Sequence, residues 1–335
     1  MRTRLFFPLA ALAVAASLAA CGSSGSSSST SSSGGGSSCN GVAGKQIVVL
    51  KDDKELQQAE NIVPLARSGS QSSMILTAVD KVSAVLDTEA LQALNSSTDI
   101  DRNTPNAAAQ SFVTKNNLTS GLPKGSGSVT VYSQSFNENL TIGYIYFDVL
   151  KAAGYDVGSK VKAVDARANY LAAMTRSSSA AVVPDYLGSL TAMLNQQQNG
   201  ANAASQASGD VQKTLVNLKK LAAKDKLVVG TPAGAQDQNV FGVTDAFAKQ
   251  YKISTLSGLA KACPGGVVLG ADPACNTSQQ PLCAPGIKKT YGITVSKFVG
   301  TGTAGSQTTK TYLESGRTTL GLLLSSDPTL KQASS

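Results

Sequence analysis

The sequence predicts an α/β protein in which helices cover both faces of parallel sheets. From Ser128 onward, short β-branched runs alternate with segments whose apolar residues recur at helical spacing, and the connecting loops are short. This alternation is typical of parallel α/β sheets. A second run of the same kind follows, and the 335-residue chain is 41% hydrophobic, enough for one large domain or two lobes.

The first run predicts a sheet that begins near residue 129. Residues 129–132 (VTVY) are rich in β-branched side chains, whereas apolar residues at helical spacing follow over 137–153. Further strands are predicted at 161–164, 180–183 and 227–229, and further helices at 169–174, 187–194 and 211–223.

The second run repeats the pattern after a polar connection. Residues 231–239 (TPAGAQDQN) are rich in Gly, Pro and polar side chains, so they are predicted to connect two lobes and to form the lip of a cleft. Strands are predicted at 240–243, 267–269, 294–299 and 320–324, and helices at 244–251, 287–291 and 307–314.

The block before residue 118 contains one predicted strand, 47–50, and three predicted helices, 75–86, 88–94 and 105–115. The last helix has Pro105 in its first turn, where proline is well tolerated. One strand and three helices are too little for an independent domain. We therefore expect this block to pack on the residues that follow it.

The first residues predict export. Residues 1–20 combine Arg2 and Arg4 with a short apolar run, and Leu-Ala-Ala-Cys21 matches a bacterial lipobox. This predicts a lipoprotein signal peptide and lipidation of Cys21; ordinary cleavage that leaves a free Cys21 is the alternative. Residues 21–44 form a Ser/Gly-rich tether, so the protein is expected outside the cytoplasm, held to the cell membrane by its lipid anchor.

Composition argues against several classes of function. The formal charge of +8 becomes +6 without Arg2 and Arg4, and the lysines are scattered with no Arg-rich run, which does not favour nucleic-acid binding. The chain contains no histidine, which removes Ser-His-Asp and Cys-His catalysis and the commonest metal ligand. We expect no enzymatic activity, no cofactor and no metal.

Four cysteines remain beside Cys21, and an even set in an oxidising compartment suggests disulfides. Cys275 and Cys283 enclose a short loop with Pro281 and are paired first. Cys39 and Cys263 are then paired as the remainder.

Residues 300–305 (GTGTAG) form a literal G-x-G-x-x-G with Asp327 about twenty residues further on, as in dinucleotide-binding folds. The motif comes late in the chain, and only one short helix and one strand follow it. An exported protein would also meet little dinucleotide. We therefore interpret it as a glycine-rich turn that opens a helix whose N-terminal amides face a cleft.

Several motifs in order resemble the glycine betaine/choline/carnitine-binding proteins of osmoprotectant ABC importers. The opening turn Ser-Gln-Ser-Phe-Asn-Glu at 133–138 is similar to the family's Ser-x-Asn-Phe-x-Glu turn. The other matching segments are RANY at 167–170, VVPDYLGSL at 182–190, DQNVFGVTDAFAKQYKISTLSGLA at 237–260, CAPGIKKTYGI at 283–293 and LLLSSDP at 322–328. The resemblance covers almost all of residues 128–330.

The resemblance implies a type II periplasmic-binding-protein fold, with two α/β lobes around a ligand cleft. It implies a monomeric substrate-binding lipoprotein that delivers a small quaternary amine, such as glycine betaine, choline or carnitine, to an ABC permease. The alternative is a surface lipoprotein that uses the same scaffold as a sensor or receptor for a more polar ligand.

The order of the segments predicts a circular permutation. In the family, Val-Val-Leu-x-Asp-Asp-Lys and Asn-x-x-Pro segments follow the Ser-Thr-Asp motif, but here VVLKDDK (48–54) and NIVP (61–64) come first. Residues 45–118 then correspond to the family's C-terminal segment, and residues 119–128 join it to the family's first strand. We accordingly expect lobe I at 45–232 and lobe II at 233–335. One link would join them, with strand 47–50 in the sheet begun by 129–132.

The resemblance also places ligand-binding residues. Tyr186 matches an aromatic-cage tyrosine, with Ser189 its neighbouring hydroxyl; Gln134 is the polar residue of the opening turn, and Asp237 matches an acidic cleft residue. Ser133 and Phe136 belong to the same turn, where Phe136 adds aromatic surface.

Other family positions differ. Asn239 stands where many relatives have a cage tyrosine, Leu324 replaces another, and Glu60 or Asn61 takes the place of a third. Gln280 replaces an arginine. The ligand resemblance is therefore weaker than the scaffold resemblance: Asp237 suits a cation, whereas Asn239, Gln134 and Asn61 suit a hydroxylated ligand.

Overall fold

Two β-sheets, each in its own lobe, organise the chain. The structure, a computed structural model, describes residues 38–333. The predicted signal peptide, Cys21 and the tether up to residue 37 lie outside the described residues. The strands are β1 (Ile47–Val49), β2 (Ile62–Arg67), β3 (Val129–Gln134), β4 (Lys162–Val164), β5 (Ala180–Tyr186), β6 (Leu227–Val229), β7 (Asn239–Thr244), β8 (Val267–Ala271), β9 (Val295–Gly300), β10 (Leu320–Leu324) and β11 (Lys331–Gln332).

Helices connect most of these strands, and none within residues 38–333 is long and apolar enough to cross a membrane. A π-helical turn follows the second helix at Ser96–Ile100, and a 3-10 turn lies at Pro273–Asn276. The α-helices are α1 (Ser72–Ser83), α2 (Thr88–Asn95), α3 (Pro105–Lys115), α4 (Asn137–Ala152), α5 (Arg167–Arg176), α6 (Leu187–Asn199), α7 (Val211–Lys224), α8 (Asp245–Tyr251), α9 (Leu256–Ala262), α10 (Ala284–Tyr291) and α11 (Gln307–Glu314).

The strands of the two sheets are arranged in the same way, counted from the edge where β4 or β9 pairs in parallel with its neighbour. Lobe I has the order β4-β3-β5-β2-β6, and lobe II has β9-β8-β10-β7-β1, extended by β11. In each sheet one strand, β2 or β7, runs antiparallel to both neighbours. Each of these two strands directly follows a segment that crosses between the lobes. The predicted two-lobe α/β architecture is confirmed, with one antiparallel strand per sheet in addition.

The predicted position of strand 47–50 is wrong. β1 pairs with β7 in lobe II, where Val48 is opposite Val243, and does not join the sheet begun by β3. The chain therefore crosses between the lobes twice, over 50–61 and over 230–238, and the expected single link is also wrong. The reason is that IVV can pair with any open sheet edge, and only the tertiary structure selects the edge of β7.

β2 was not predicted as a strand because Pro64 interrupts its apolar run, and proline is uncommon inside a sheet. In the structure Pro64 lies opposite Pro184 of β5, so two residues without an N–H face each other. Their carbonyls are satisfied elsewhere: the Gly230 N–H donates to Pro64 O at 2.9 Å, and Asn139 Nδ2 donates to Pro184 O at 3.0 Å. The sheet thus accommodates both prolines.

The segment between α3 and β3 packs against lobe I. The Gly125 N–H donates to Ala153 O at 2.8 Å, just after the last turn of α4, and the Val129 N–H donates to Asp156 O at 2.9 Å. A side chain at Gly125 would overlap the Tyr155 ring, because an added Cβ would lie 2.2 Å from Tyr155 Cε2. The predicted joint at 119–128 is therefore hydrogen-bonded to lobe I, beside the start of β3.

Two disulfides lie in lobe II. Cys39 is bonded to Cys263, with their Cα atoms 5.4 Å apart, and Cys275 is bonded to Cys283 with a Cα separation of 5.1 Å. The first bond fixes the segment before β1 to the end of α9. The second closes the loop between the 3-10 turn and α10.

The glycine-rich segment 300–305 is a turn between β9 and α11. Gly302 and Gly305 have φ values of +88° and +70°, a conformation that favours glycine. Ser306 Oγ accepts a hydrogen bond from the Thr309 N–H and begins α11. This agrees with its interpretation as a helix-opening turn.

Candidate functional site

The candidate site lies where two parallel strands of lobe I end beside the second crossover. β3 ends at Gln134 and β5 ends at Tyr186, and the two strands are neighbours. Because parallel strands end at the same edge, these residues and the first turns of α4 and α6 come together. Asp237 lies in the crossover between the lobes. Its N–H donates to Glu60 O at 3.2 Å, just before β2, and β2 is the neighbour of β5.

An aromatic pair forms one part of this site. The rings of Phe136 and Tyr186 are stacked with centroids 6.1 Å apart and an interplanar angle of 23°. Tyr186 is only 6% exposed, whereas Phe136 is 45% exposed. Phe136 therefore presents an aromatic surface to solvent while Tyr186 supports it from behind.

Through its hydroxyl, Tyr186 contacts a buried acid, Glu138, that the sequence analysis did not select. The Tyr186 hydroxyl donates to Glu138 Oε1 at 2.7 Å, and Asn95 Nδ2 donates to Glu138 Oε2 at 2.6 Å. Glu138 is 8% exposed, in the first turn of α4. Its place in the motif of the opening turn was a signal that could have found it.

Hydrogen bonds connect Glu138 to lobe II. Asn95 Nδ2 also donates to Ser326 O at 3.1 Å, and Ser326 Oγ donates to Asp237 Oδ1 at 2.6 Å. Asn95 and Glu138 belong to lobe I, Ser326 follows β10 in lobe II, and Asp237 lies in the crossover. This chain of contacts, which we call the interlobe acid network (Asn95, Glu138, Asp237, Ser326), spans both lobes.

The two carboxyl groups of this network hold protons more tightly than usual. Burial, with the charge of Asp237 as a further cause, raises the pKa of Glu138 to about 7. Burial also raises the pKa of Asp237, although hydrogen bonds from Ser326 oppose this shift. Two neighbouring acids with raised pKa values favour either a bound proton or a bound cation.

Glu60 is a further buried acid near the site. Its carboxylate accepts from the Ser189 N–H at 3.0 Å, from Ser189 Oγ at 2.9 Å and from Gln58 Nε2 at 2.9 Å. Burial raises the pKa of Glu60 to about 7, and these donors oppose the shift. Ser189 therefore holds Glu60 at the start of α6.

A buried ion pair fixes the end of β5. Arg167 Nε donates to Asp185 Oδ1 at 2.9 Å, and Arg167 Nη2 lies 2.9 Å from the same oxygen. The Tyr170 hydroxyl donates to Asp185 Oδ2, and the Tyr186 N–H donates to Asp185 Oδ1 at 2.7 Å. The Arg-x-x-Tyr segment noted in the sequence thus orients the residue directly before Tyr186.

Asn139 holds the turn that carries Gln134 and Ser133. Asn139 Oδ1 accepts from the Gln134 N–H at 2.8 Å and from Ser133 Oγ at 3.1 Å, while its amide donates to Pro184 O. Ser133 is fully buried, so its hydroxyl supports this turn. Gln134 is half-buried and its Nε2 has no hydrogen-bond partner within the described chain.

Asn61 lies directly before β2, and Asn239 is the first residue of β7. Asn61 is 6% exposed; its Nδ2 donates to Ala233 O at 2.8 Å, and its Oδ1 has no partner among residues 38–333. Asn239 is exposed at the start of β7 and does not join the interlobe acid network. The structure therefore brings Tyr186, Phe136 and Asp237 together and places Asn239 apart from them.

Two cavities of about 360 Å³ each flank this region. The first is lined by Asn95 and Ser326 of the network, together with Gly305, Lys310 and Asp327, and lies between the lobes. The second is lined by Asn239 with Gln236, Gln238, Thr88 and Ser325, among others.

Comparison with known families matches most of the chain. Residues 42–115 and 127–334 match the model of the substrate-binding domain of ABC-type glycine betaine transport systems. The unmatched residues 116–126 overlap the predicted joint. Comparison with curated proteins found no match.

Proposed function

Because the chain belongs to the family of substrate-binding domains of ABC-type glycine betaine transport systems, we propose that it is an extracytoplasmic lipoprotein that binds a small osmoprotectant-type solute between its two lobes. Proteins of this family bind solutes and work with ABC permease subunits; they do not transform what they bind. We further propose a lipid anchor at Cys21 and a monomer that delivers its solute to a permease.

One observation carries the proposal: Tyr186, whose ring stacks on that of Phe136, donates its hydroxyl to the buried carboxyl group of Glu138 at 2.7 Å. Aromatic faces attract cations, and a buried carboxyl group without a basic partner adds negative charge beside them. The proposed solute is therefore cationic, and its charged group binds at this junction. Closure of the lobes would then bury it.

A second candidate function rests on the second cavity. Its lining by Asn239, Gln236 and Gln238 offers carboxamides, which suit a neutral hydroxylated ligand. A surface lipoprotein that senses such a ligand would use the same scaffold without a permease.

Ligand-dependent stabilisation tests the proposal. A ligand at one hundred times its Kd stabilises the folded state by about 2.7 kcal/mol, which raises the Tm measurably. The panel consists of glycine betaine, choline, carnitine, proline betaine, polyamines and polyols, with calorimetry to confirm each shift. Binding only of polyols would favour the sensor function, and no binding by any member would contradict solute delivery.

The order of the segments is a separate proposal. We propose that the chain is circularly permuted, with its opening in lobe II. In lobe I the outer strand β6 follows β5 along the chain, but in lobe II the corresponding strand β1 precedes β7 instead of following β10. This support is independent of the family match, since it comes from comparing one lobe with the other.

A further inference from the structure

The segment between the predicted tether and β1 lies along one edge of the lobe II sheet. The Cys39 N–H donates to Gly266 O at 2.8 Å, and Thr319 Oγ1 donates to Cys39 O at 2.7 Å. The Gly44 N–H donates to Glu314 O at 2.9 Å, and a disulfide fixes Cys39 itself. The chain therefore enters lobe II beside the residues that directly precede β8 and β10.

This edge lies opposite the contacts with lobe I. The strands β1, β8, β9 and β10 all run in the same direction, and all of them begin at this edge. At the other edge β1 leads into the first crossover, and β10 leads to Ser326, whose carbonyl accepts from Asn95 of lobe I. The edge at which the chain enters is therefore remote from the cleft.

Basic side chains surround the point of entry. Lys45 directly follows Gly44, and Lys261 lies in the last turn of α9, two residues before the disulfide partner of Cys39. Arg317 follows Gly316, whose carbonyl oxygen would lie 2.5 Å from a Cβ added to Gly41. Three basic residues that are far apart in the sequence are thus brought to one place.

Further basic side chains extend this surface along the same edge. Lys288 and Lys289 lie in the last turn of α10, shortly before β9 begins, and Lys297 is the third residue of β9. Lys249 Nζ lies 2.6 Å from Asp245 Oδ2, directly after the end of β7. All of these side chains are exposed, and together they form what we call the basic edge: Lys45, Lys249, Lys261, Lys288, Lys289, Lys297 and Arg317.

The charges of lobe II are divided between its two edges. Among residues 38–333 the acids at the basic edge are Asp245 and Glu314, so seven positive and two negative charges leave +5 there. The other acids follow strand ends or lie in the crossovers near the cleft, namely Asp52, Asp53, Glu55, Asp237, Asp272 and Asp327. A lobe with its charges separated in this way is oriented by a charged surface.

Helix dipoles explain only part of the arrangement. A lysine in the last turn of a helix complements the negative end of the helix dipole, which applies to Lys261 and to the two lysines of α10. Lys45, Lys297 and Arg317 lie outside the helices and still have the same sign. The excess of positive charge therefore belongs to the edge as a whole.

From this placement we propose that the basic edge binds the anionic lipid headgroups of the membrane that holds the lipid anchor. The inference rests on the proposed anchor at Cys21. Seventeen residues separate Cys21 from Cys39, and even fully extended they span at most about 60 Å. Because a tether raises the effective concentration of the surface, the weak attraction of each basic side chain to anionic lipid is sufficient.

This contact gives the protein a defined orientation on the membrane. Lobe II stands on its basic edge, and the cleft at the opposite edge of the sheet points away from the lipid. The proposed solute site then faces the medium from which the solute arrives. Since the charges are exposed, salt should weaken the contact.

Lysine acetylation in nanodiscs tests the inference on the lipidated chain. The discs contain either equal parts of phosphatidylglycerol and phosphatidylcholine or phosphatidylcholine alone, and mass spectrometry follows each lysine during a short pulse of N-hydroxysuccinimide acetate. We expect Lys45, Lys261 and Lys297 to react at least about threefold more slowly in the anionic discs. In 1 M NaCl, where the Debye length is about 3 Å, this difference should disappear. The controls are exposed lysines of α7 in lobe I, which should react equally in both discs: Lys213, Lys219 and Lys220.

Matched variants separate the basic edge from a general change of charge. Lys261→Gln/Lys288→Gln removes two positive charges from the edge and should reduce the protection of Lys45 at least about twofold. Lys219→Gln/Lys220→Gln makes the same change on α7 and should leave that protection unchanged. Both variants should bind solute as the original does. If circular dichroism shows that the first variant fails to fold, the unmodified chain in the two kinds of disc decides.

Each outcome has a distinct meaning. Slow acetylation of the basic edge in anionic discs alone supports the inference. Equal rates in both discs, or protection of α7 instead, overturn it and leave the proposed solute binding intact. Protection in both discs would indicate contact between two copies of the chain and would also overturn it. The mass of the peptide with Cys21 reports the lipid separately; if the lipid is absent, the proposed anchor is contradicted, and the same acetylation with added vesicles of both compositions decides on the basic edge.

Discussion

Val48 and Lys331 are register partners in neighbouring parallel strands, so residues from opposite parts of the sequence meet in one sheet. The Ala333 N–H adds a hydrogen bond to Val49 O at 3.0 Å. Lobe II is therefore assembled from two segments, whereas lobe I is one continuous segment. This geometry underlies the first prediction.

A back-permuted chain should fold and bind. Joining residue 333 to residue 38 through a short Gly/Ser linker, and opening the chain between residues 118 and 128, restores the lobe I order of strands in lobe II. We expect a cooperative thermal transition and a solute affinity within about threefold of the original, because few contacts change. Opening the chain inside α4, whose side chains are largely buried, is the control and should prevent folding. Failure of the first variant to fold would contradict the proposed permutation.

The two disulfides should differ in their contribution to stability. Cys39–Cys263 joins residues 224 apart, whereas Cys275–Cys283 joins residues 8 apart. A chain-entropy estimate gives about 5 kcal/mol for the first and about 2.5 kcal/mol for the second. Urea unfolding should show that Cys39→Ser/Cys263→Ser lowers the free energy of unfolding more than Cys275→Ser/Cys283→Ser does. An equal or reversed effect would mean that loop closure is not the dominant contribution.

Arg167 should be essential to the stability of lobe I. Replacing it with methionine leaves Asp185, which is fully buried, without its countercharge. Removing one partner of a buried ion pair costs about 3–5 kcal/mol. Lys249→Met breaks an exposed pair with Asp245 and should cost at most about 1 kcal/mol. Chemical denaturation of both variants makes the comparison, and similar losses would contradict the structural role given to Arg167.

Stability without solute should fall as the pH rises from 5 to 8, in part because of Glu60. The pKa of Glu60 is about 7 in the folded protein and close to 4.5, the ordinary value for glutamate, in the unfolded chain, so the folded state binds the proton more tightly. That contribution is present in full below pH 4.5 and is lost as the pH rises through 7. It amounts to at most about 3 kcal/mol.

Glu60→Gln isolates this effect. The variant cannot titrate at this position, so its free energy of unfolding should change less between pH 5 and pH 8 than that of the unmodified chain. Glu89→Gln provides the exposed control and should keep the original slope. Parallel urea titrations at four pH values measure the slopes, and identical slopes in all three proteins would contradict a raised pKa.

Local sequence signals predicted most of the regular elements. The helical spacing after Phe136 and the β-branched run at Val129 each correspond to an observed element, α4 and β3. β2 was missed because Pro64 is a strong local signal against a strand, and α9 was missed because seven residues carry little periodicity. In both cases neighbouring elements supply the stabilisation that the local sequence lacks.

The candidate site was predicted unevenly. Tyr186, Phe136 and Asp237 were selected from their motifs and lie together in the structure. Asn95 was not selected, because its role depends on Ser326, a residue distant in the sequence that approaches only when the lobes meet. Ser133 was selected for its motif but is buried in the turn.

The sequence by itself determined the family, the two-lobe α/β class and the order of the matching segments, since these depend on local composition and motifs. Only the tertiary structure decided that β1 belongs to lobe II and that Glu138 and Asp237 share one network. Strand pairing and charge interactions depend on distances between residues far apart in the chain, and those distances exist only after folding.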